Sequence, residues 1–445
     1  MTRRPTLPLL TLAATGLALV PATSAVEAGI GPIARVTNGA DAGPGSFRAA
    51  VEAANTDPSI NAVVFQSAIT VELATAVEYT GDQSLSIVGA GSTVSGANGD
   101  PSANTTWNSG LFVSRSAADL RLTELNFEDS FNNGLAVFLP SDAGHVAIDL
   151  VRVGVSGSKF HGVFIDGQAS TGFNSDDEPH PACVDPHFVD ATGSIDLQVV
   201  RSSVSDNGTL LGGFDDSTAT GCPRDFDGLR VDDGADGGIV AELVRSNFDG
   251  NLADGVELDE KGGGGVVARV NRSSFDGNGA SGETVDGLED LDDGFDIDEE
   301  GPGNLIARVA NSTMNGNFDE GLDLDEAGPG DVVVTVDRSV ADGNEDEGLK
   351  ADEEDDGDLS FRVTDTSSSG SLSQDGVDLS EVGAGTFEAE FVRTTIVGND
   401  NEGISAEQDD RGFGRLRVFA SDLSGNNDGP VDADGIDVKL FTTVV

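Results

Sequence analysis

The chain has 445 residues, 79 Asp and Glu against 24 Lys and Arg, and a formal net charge of −55. That balance excludes nucleic acid as a partner, because phosphate contacts need Lys and Arg in excess. With 59 Gly and only one Trp and one Tyr, the composition suits a chain that gains length by repetition rather than by a large compact core.

Residues 1–25 read as a secretory signal: Arg3 and Arg4 form the basic start, Leu7 to Val20 the apolar stretch, and Thr23-Ser24-Ala25 the cleavage site. The apolar stretch is too short to span a bilayer, and no later one is longer, so no membrane insertion is expected. The mature chain is expected to be secreted or extracellular, the periplasm and cell surface included. A twin-arginine route would rest on the Arg pair alone.

Residues 26–105 are assigned to an N-terminal cap and the first coils. Ser46 is placed to cap a short helix in which Phe47, Ala50, Val51 and Ala54 share one face. Ala62–Phe65, Ile69–Leu73 and Leu85–Val88 alternate as strands do. Residues 106–445 are assigned to repeats. Gly134-Leu-Ala-Val and Gly162-Val-Phe-Ile, 28 residues apart, open them. Insertions at 167–193, 209–226 and 279–291 then break the regularity. The first two would wall a cleft over His161, Phe164, Asp166, Arg230 and Asp232. Each carries one cysteine. A disulfide between Cys183 and Cys222 is the simplest reading in an exported protein; a zinc site using His180, Cys183, His187 and nearby His161 is the alternative.

From 227 onward a phrase of acid–Gly–apolar–X–apolar–acid returns at 227, 254, 293, 320, 347, 375, 402 and 434, mostly in steps of 27 or 28 residues. Its apolar residues alternate, as in Leu322 and Leu324 about Asp323, which is the period of a strand with one buried face. A second alternating run follows about a dozen residues later (Val267-Ala-Arg-Val), and a third short run closes the unit (Ser274-Phe-Asp-Gly-Asn278). Three strands in about 27 residues leave no room for a helix. One coil per repeat, each strand pairing with its counterpart in the next coil, satisfies the backbone. Asn207, Asn251, Asn278, Asn317, Asn344, Asn399 and Asn426 fall in register, with Ser371 the gap. They are expected to hydrogen-bond from coil to coil and to take the left-handed conformation of a tight turn.

These coils resemble the right-handed parallel β-helix of the pectin-lyase-like kind, whose coils also carry asparagine ladders. The Gly43-Pro-Gly-Ser-Phe-Arg48 turn resembles the capping turn of many secreted bacterial β-helix proteins. The resemblance implies an all-β, single-domain solenoid with three short strands per coil and a short N-terminal capping helix.

Stacking forces the acids into rows about 4.8 Å apart. Glu257, Asp296, Asp323 and Asp378 form one column, and Asp232, Asp259, Asp298, Asp325 and Asp352 another; Asp254, Asp293, Glu320, Glu347, Asp375 and Glu402 start each strand. Residues 227–360 hold 38 acids where 30–160 hold 13, which favours a local cause over salt adaptation of the whole surface. The metal ligands expected are Asp232, Glu257, Asp259, Asp296, Asp298, Asp323, Asp325 and Asp352, with calcium as the ion, since it takes six to eight oxygens. Lys350 lies among them as local charge relief. Arg269, Arg308, Arg362 and Arg417, with Arg245, Arg272, Arg338 and Arg393 close by, mark another face, read as ordinary pairing with acids such as Glu242 and Glu390 or as a strip for an anionic polymer.

The function expected is that of an exported acidic, cation-binding β-helix acting as a surface, matrix or glycan-binding protein. The alternative is a calcium-dependent polysaccharide lyase or hydrolase. Its lyase form, which the resemblance implies, would use Arg230 as base beside Asp166 and Asp232 as catalytic candidates. A nest of carboxylates raises rather than lowers the proton affinity of an Arg, which counts against it.

Overall fold

The computed structural model describes residues 32–96, 109–167, 191, 193–208, 226–234, 236–279, 293–410 and 412–445. The signal segment, Cys183, Cys222, His180, His187 and almost all of the three insertions lie outside the described residues.

The chain is a parallel β-helix. Eleven parallel strands form one sheet, from Val77–Tyr79 through Val163–Gly167, Leu229–Asp233, Val256–Glu260, Phe295–Glu299, Leu322–Glu326, Leu349–Asp355 and Val377–Gly383 to Ile404–Asp410. A second sheet runs beside it through Ile195–Val200, Ile239–Val244, Val266–Asn271, Leu305–Ala310 and Val332–Asp337 to Ile436–Phe441. The register is the one the repeats demand: Asp232 pairs with Asp259, Asp259 with Asp298, Asp298 with Asp325 and Asp325 with Asp352.

The third run is shorter than the sequence suggests. Beyond Ser203–Val204 it shrinks to single bridges, Asn247 to Ser274 to Thr313 to Val340 and onward. Left-handed residues bracket it in every coil, as Arg272 (φ 60°) and Gly277 (φ 68°) do, and between two such corners there is space for little more than one paired residue. The left-handed residue is not the ladder asparagine, as expected, but the one before it: Asp206 ahead of Asn207, Gly250 ahead of Asn251, Gly277 ahead of Asn278. Glycine fits there because it bears no Cβ.

The asparagines do bond from coil to coil. Each side-chain nitrogen donates to the next Oδ1, from Asn207 to Asn251 at 3.1 Å, Asn251 to Asn278 at 3.2 Å and Asn278 to Asn317 at 3.2 Å. At the gap, Asn399 Oδ1 accepts from the Ser371 backbone at 3.0 Å. A second ladder escaped the sequence reading. Ser202, Ser246, Ser273, Ser312, Ser339 and Thr366 are buried, and each hydroxyl after the first accepts the preceding coil's backbone N–H at 3.2 Å. The asparagine ladder also explains the glycine of the phrase. A Cβ on Gly294 would stand 2.6 Å from Asn317 Nδ2, and one on Gly321 would stand 2.6 Å from Asn344 Nδ2.

At the N-terminal end the helix Phe47–Thr56 forms as expected. Ser46 Oγ accepts from Ala49 N at 3.1 Å, and Phe47, Ala50, Val51 and Ala54 are its buried face. Covering the first coil this way hides strand edges that would otherwise pair with other chains.

Inside, side chains stack in register. Phe275 lies between Phe248 and Phe295 with ring centroids 5.2 Å from each. It is fully buried between rigid coils that cannot collapse into a hole. Phe275→Ala is therefore expected to cost about 3–5 kcal/mol, read from urea unfolding of the two proteins.

Candidate metal centre

The outward face of the first sheet changes character along the axis. Val113, Ala136, Phe138 and Phe164 form a small apolar cluster, with Arg115 4.7 Å from the Phe138 ring centre. One coil on, Phe164 is paired with Arg230, and the rest of that column is Glu257, Asp296 and Asp323. Outward does not mean exposed. Glu257, Asp259, Asp296 and Asp323 are buried, while Asp232, Asp298, Asp325, Asp352 and Asp378 are half-buried, so the columns form a partly covered acid layer rather than a fully open acidic face. His161, Phe164 and Asp166 are buried too; almost all of the two insertions expected to wall a cleft over them lies outside the described residues.

The acids that begin each strand have a structural task of their own. Asp227 Oδ1 accepts from Asp254 N at 3.3 Å, Asp254 Oδ1 accepts from Asp293 N, and Asp293 Oδ1 accepts from Glu320 N at 2.6 Å. Asp375 Oδ1 does the same for Glu402 N at 2.6 Å. His161 holds this position one coil earlier, its Nδ1 accepting from Asp227 N at 3.1 Å while its ring stacks 4.8 Å from Phe164. It is thus a structural member of the row.

Four groups of three carboxylates bring ligand oxygens within 4.8 Å of one another: Asp227, Asp254 and Glu257; Glu257, Asp296 and Asp298; Asp293, Asp296 and Asp323; Glu347, Asp375 and Asp378. Glu257, Asp296, Asp298 and Asp323 were expected as ligands. Asp232, Asp259, Asp325 and Asp352 are in register but fall outside these groups. Asp227, Asp254, Asp293, Glu347, Asp375 and Asp378 were not chosen, although the strand-opening acids had been aligned as a column. What the sequence does not show is that a strand-opening acid leans toward the outward acid three residues further on.

Among the described residues three cations serve this layer. The Arg230 guanidinium is gripped by Asp232 (2.7 Å), Glu257, Asp259 (3.5 Å) and Asp227 (3.6 Å). Lys261 reaches Glu300 at 2.8 Å and Asp259 at 3.6 Å, and Lys350 reaches Asp323 at 2.6 Å and Glu320 at 3.5 Å. They are too few. Burial pushes Asp259 up to about 6, partly opposed by Lys261 and Arg230, and pushes Glu347 up to about 9, helped by Glu320 and Asp378. Burial likewise raises Asp375 to about 7 and Asp323 well above the carboxylate range, in spite of Lys350. Asp259 Oδ1 is buried and accepts no hydrogen bond. An all-oxygen donor set that is dehydrated and short of positive charge fits a hard divalent ion such as calcium.

Three of the eight arginines named on the other face pair with acids, Arg338 doing so with Asp337. Arg362 pairs with Glu390, and Arg393 makes two 2.6 Å contacts to Asp365. Surface pairs of this kind are the ordinary use of such residues.

No protein-family model and no curated protein matches the chain. Solved structures do. Pectate lyase Pel9A is similar at 15% identity and a TM-score of 0.47, over 79% of this chain and 78% of that one. The periplasmic alginate epimerase AlgG is similar at 8% identity and a TM-score of 0.37, over 86% and 76%. The A-module of the Azotobacter vinelandii mannuronan C-5 epimerase AlgE4 follows at 11% and 0.35, over 93% and 87%. The stacked parallel sheets by themselves define the class, a parallel β-helix solenoid. At these identities the likeness concerns the fold alone. Among the described residues no helix is long and apolar enough to cross a membrane.

Proposed function

We propose that this chain is an exported divalent-cation-binding β-helix that works by binding rather than by turnover, with its cations in the acid layer of the first sheet. The observation that carries this is the set of three-carboxylate groups made from buried and half-buried side chains whose charge Arg230, Lys261 and Lys350 only partly offset. Calcium held there by three carboxylates keeps coordination positions for other oxygens. A surface, matrix or glycan-binding role follows from this, with a uronate carboxylate or sugar hydroxyls completing the shell.

The same geometry argues against Arg230 as a lyase base. A guanidinium in contact with four carboxylates is held in its charged form. Supplying uronate polymers with calcium should give calcium-dependent retention on the immobilised polymer and no ultraviolet absorbance from unsaturated product. Product formation that disappears in Arg230→Ala would replace the binding reading with the lyase one.

A further inference from the structure

The two left-handed corners that bracket the third run are filled differently. The later corner carries glycine, as at Gly250 and Gly277. The earlier corner carries arginine in six coils, at Arg152, Arg201, Arg245, Arg272, Arg338 and Arg393, with φ between 50° and 60°. That conformation is costly for a long side chain and cheap for glycine or asparagine. Asn311 holds the same corner in one coil (φ 54°), so the backbone itself does not ask for arginine. A residue that recurs against the local preference of the chain points to a use beyond the fold.

These corners stack in register. Arg152 N donates to Val200 O at 2.9 Å, Arg201 N to Val244 O at 2.9 Å and Arg245 N to Asn271 O at 3.0 Å. Each carbonyl belongs to the residue just before the next arginine. Arg152, Arg201, Arg245 and Arg272 therefore stand in single file on successive coils, about 4.8 Å apart, and all four are exposed. Arg152 is engaged by Glu124 at 2.7 Å, as Arg338 is by Asp337 and Arg393 by Asp365. Among the described residues no carboxylate lies within ion-pairing distance of Arg201, Arg245 or Arg272. Arg269 and Arg308, exposed and likewise without an acid partner, pair in register on the strands that lead into this edge. Glu242, the acid in register with Arg269, accepts instead from Gln198 Nε2 at 2.9 Å. In a chain with 79 Asp and Glu, five such guanidinium groups gathered along one edge are not ordinary surface pairing.

We propose that Arg201, Arg245 and Arg272, with Arg269 and Arg308 beside them, bind a linear sulfated polysaccharide laid along the axis of the solenoid. A guanidinium presents a planar fork of N–H donors that matches an oxyanion. A sulfate ester keeps several free oxygens and can be shared by the forks of two successive coils, whereas one fork occupies both oxygens of a carboxylate. Single file in the protein calls for single file in the ligand, which a polysaccharide with anionic groups along one edge supplies. Duplex nucleic acid would bring a second line of phosphates against acids on the adjoining runs, Glu242 before the corner and Asp249 and Asp276 after it. The row lies on other strands than the acid layer and needs no metal ion, so it stands whether or not calcium binds there.

The test is binding of the full chain to immobilised dextran sulfate in chelator over a salt series, with plain dextran and duplex DNA as the other surfaces. One variant combines Arg201→Asn, Arg245→Asn and Arg272→Asn, giving three corners the residue that already stands at 311. A control combines Arg362→Gln, Arg415→Gln and Lys439→Gln, which removes the same charge from cations already paired with Glu390, Glu388 and Asp437. The wild type should bind dextran sulfate and leave dextran alone. The corner variant should bind at least about tenfold more weakly, with a slope of log K against log salt shallower by about three. Its Tm should hold or rise, because asparagine accepts the left-handed corner, and the control should bind like the wild type. Unchanged binding in the corner variant, or an equal loss in the control, overturns the proposal. So does a Tm that falls together with binding, which would make these arginines part of the fold. Binding that needs calcium would assign the polymer to the acid layer, and equal capture by DNA would make the row a general polyanion surface; either result overturns it too.

Discussion

Chelation at pH 8 should lower the stability of the chain sharply, and calcium titrated back should fill two sites among the described residues. The count follows from shared ligands. Asp296 belongs to two of the four carboxylate groups, so those two cannot be filled together. In the group of Asp227, Asp254 and Glu257, two members already contact Arg230, which competes with an ion there. That leaves one ion around Asp296 and one among Glu347, Asp375 and Asp378. An ion that binds only the folded chain adds about 2.7 kcal/mol at a hundredfold excess over Kd, so two sites amount to about 5 kcal/mol. Without the ions, Asp375 at about 7 and Glu347 at about 9 hold protons that the unfolded chain releases, and stability falls as pH rises from the ordinary carboxylate range through those values. Calcium should remove this part of the slope. Calorimetry of the wild type and of Asp296→Asn checks both points, the variant being expected to bind one ion fewer. No calcium binding at moderate salt would sink the cation reading and leave salt adaptation to explain the charge.

Lys350→Met should be the most damaging single change in the acid layer. Among the described residues its ammonium is the one cation in contact with Asp323, a carboxylate 2% exposed, and with Glu320. Removing one partner of a buried pair leaves an uncompensated charge and costs about 3–5 kcal/mol. The loss should be larger in chelator than in calcium, because an ion bound by Asp293, Asp296 and Asp323 supplies the missing charge. Urea unfolding in the two media measures the difference. An equal loss in both would mean that Lys350 serves by packing alone.

The coil architecture was legible because the period states it: an acid, a glycine and two alternating apolar residues returning every 27 or 28 positions permit one stacking. The helix cap at Ser46, its buried face and the pairing of Asp259 with Asp298 follow from periodicity alone. Burial on the outward side was not legible. Alternation places Glu257 and Asp296 away from the bore but says nothing of what covers them. The buried inward glutamates Glu260, Glu299, Glu326 and Glu353 were missed for the opposite reason. Their place on the inner side is plain from parity with Leu258, but a rule that acids face water set them aside. Only the hydrogen bonds from the glycine turns show why a carboxyl belongs there. The serine ladder was hidden by similar habit, since Ser after Arg looks like ordinary surface until the corner turns it inward.

The close approach of each phrase glycine to the asparagine of the coil above has an evolutionary corollary. Gly294 is dictated by Asn317 and Gly321 by Asn344, so the constraint resides in the junction between coils and not within either one. A junction that is the same all along the axis lets a gene lengthen by copying any single unit, because the copy meets on both sides the surface it already fits. Growth by in-frame duplication then needs no compensating change, and a new coil can drift toward a new ligand while its neighbours hold it in place.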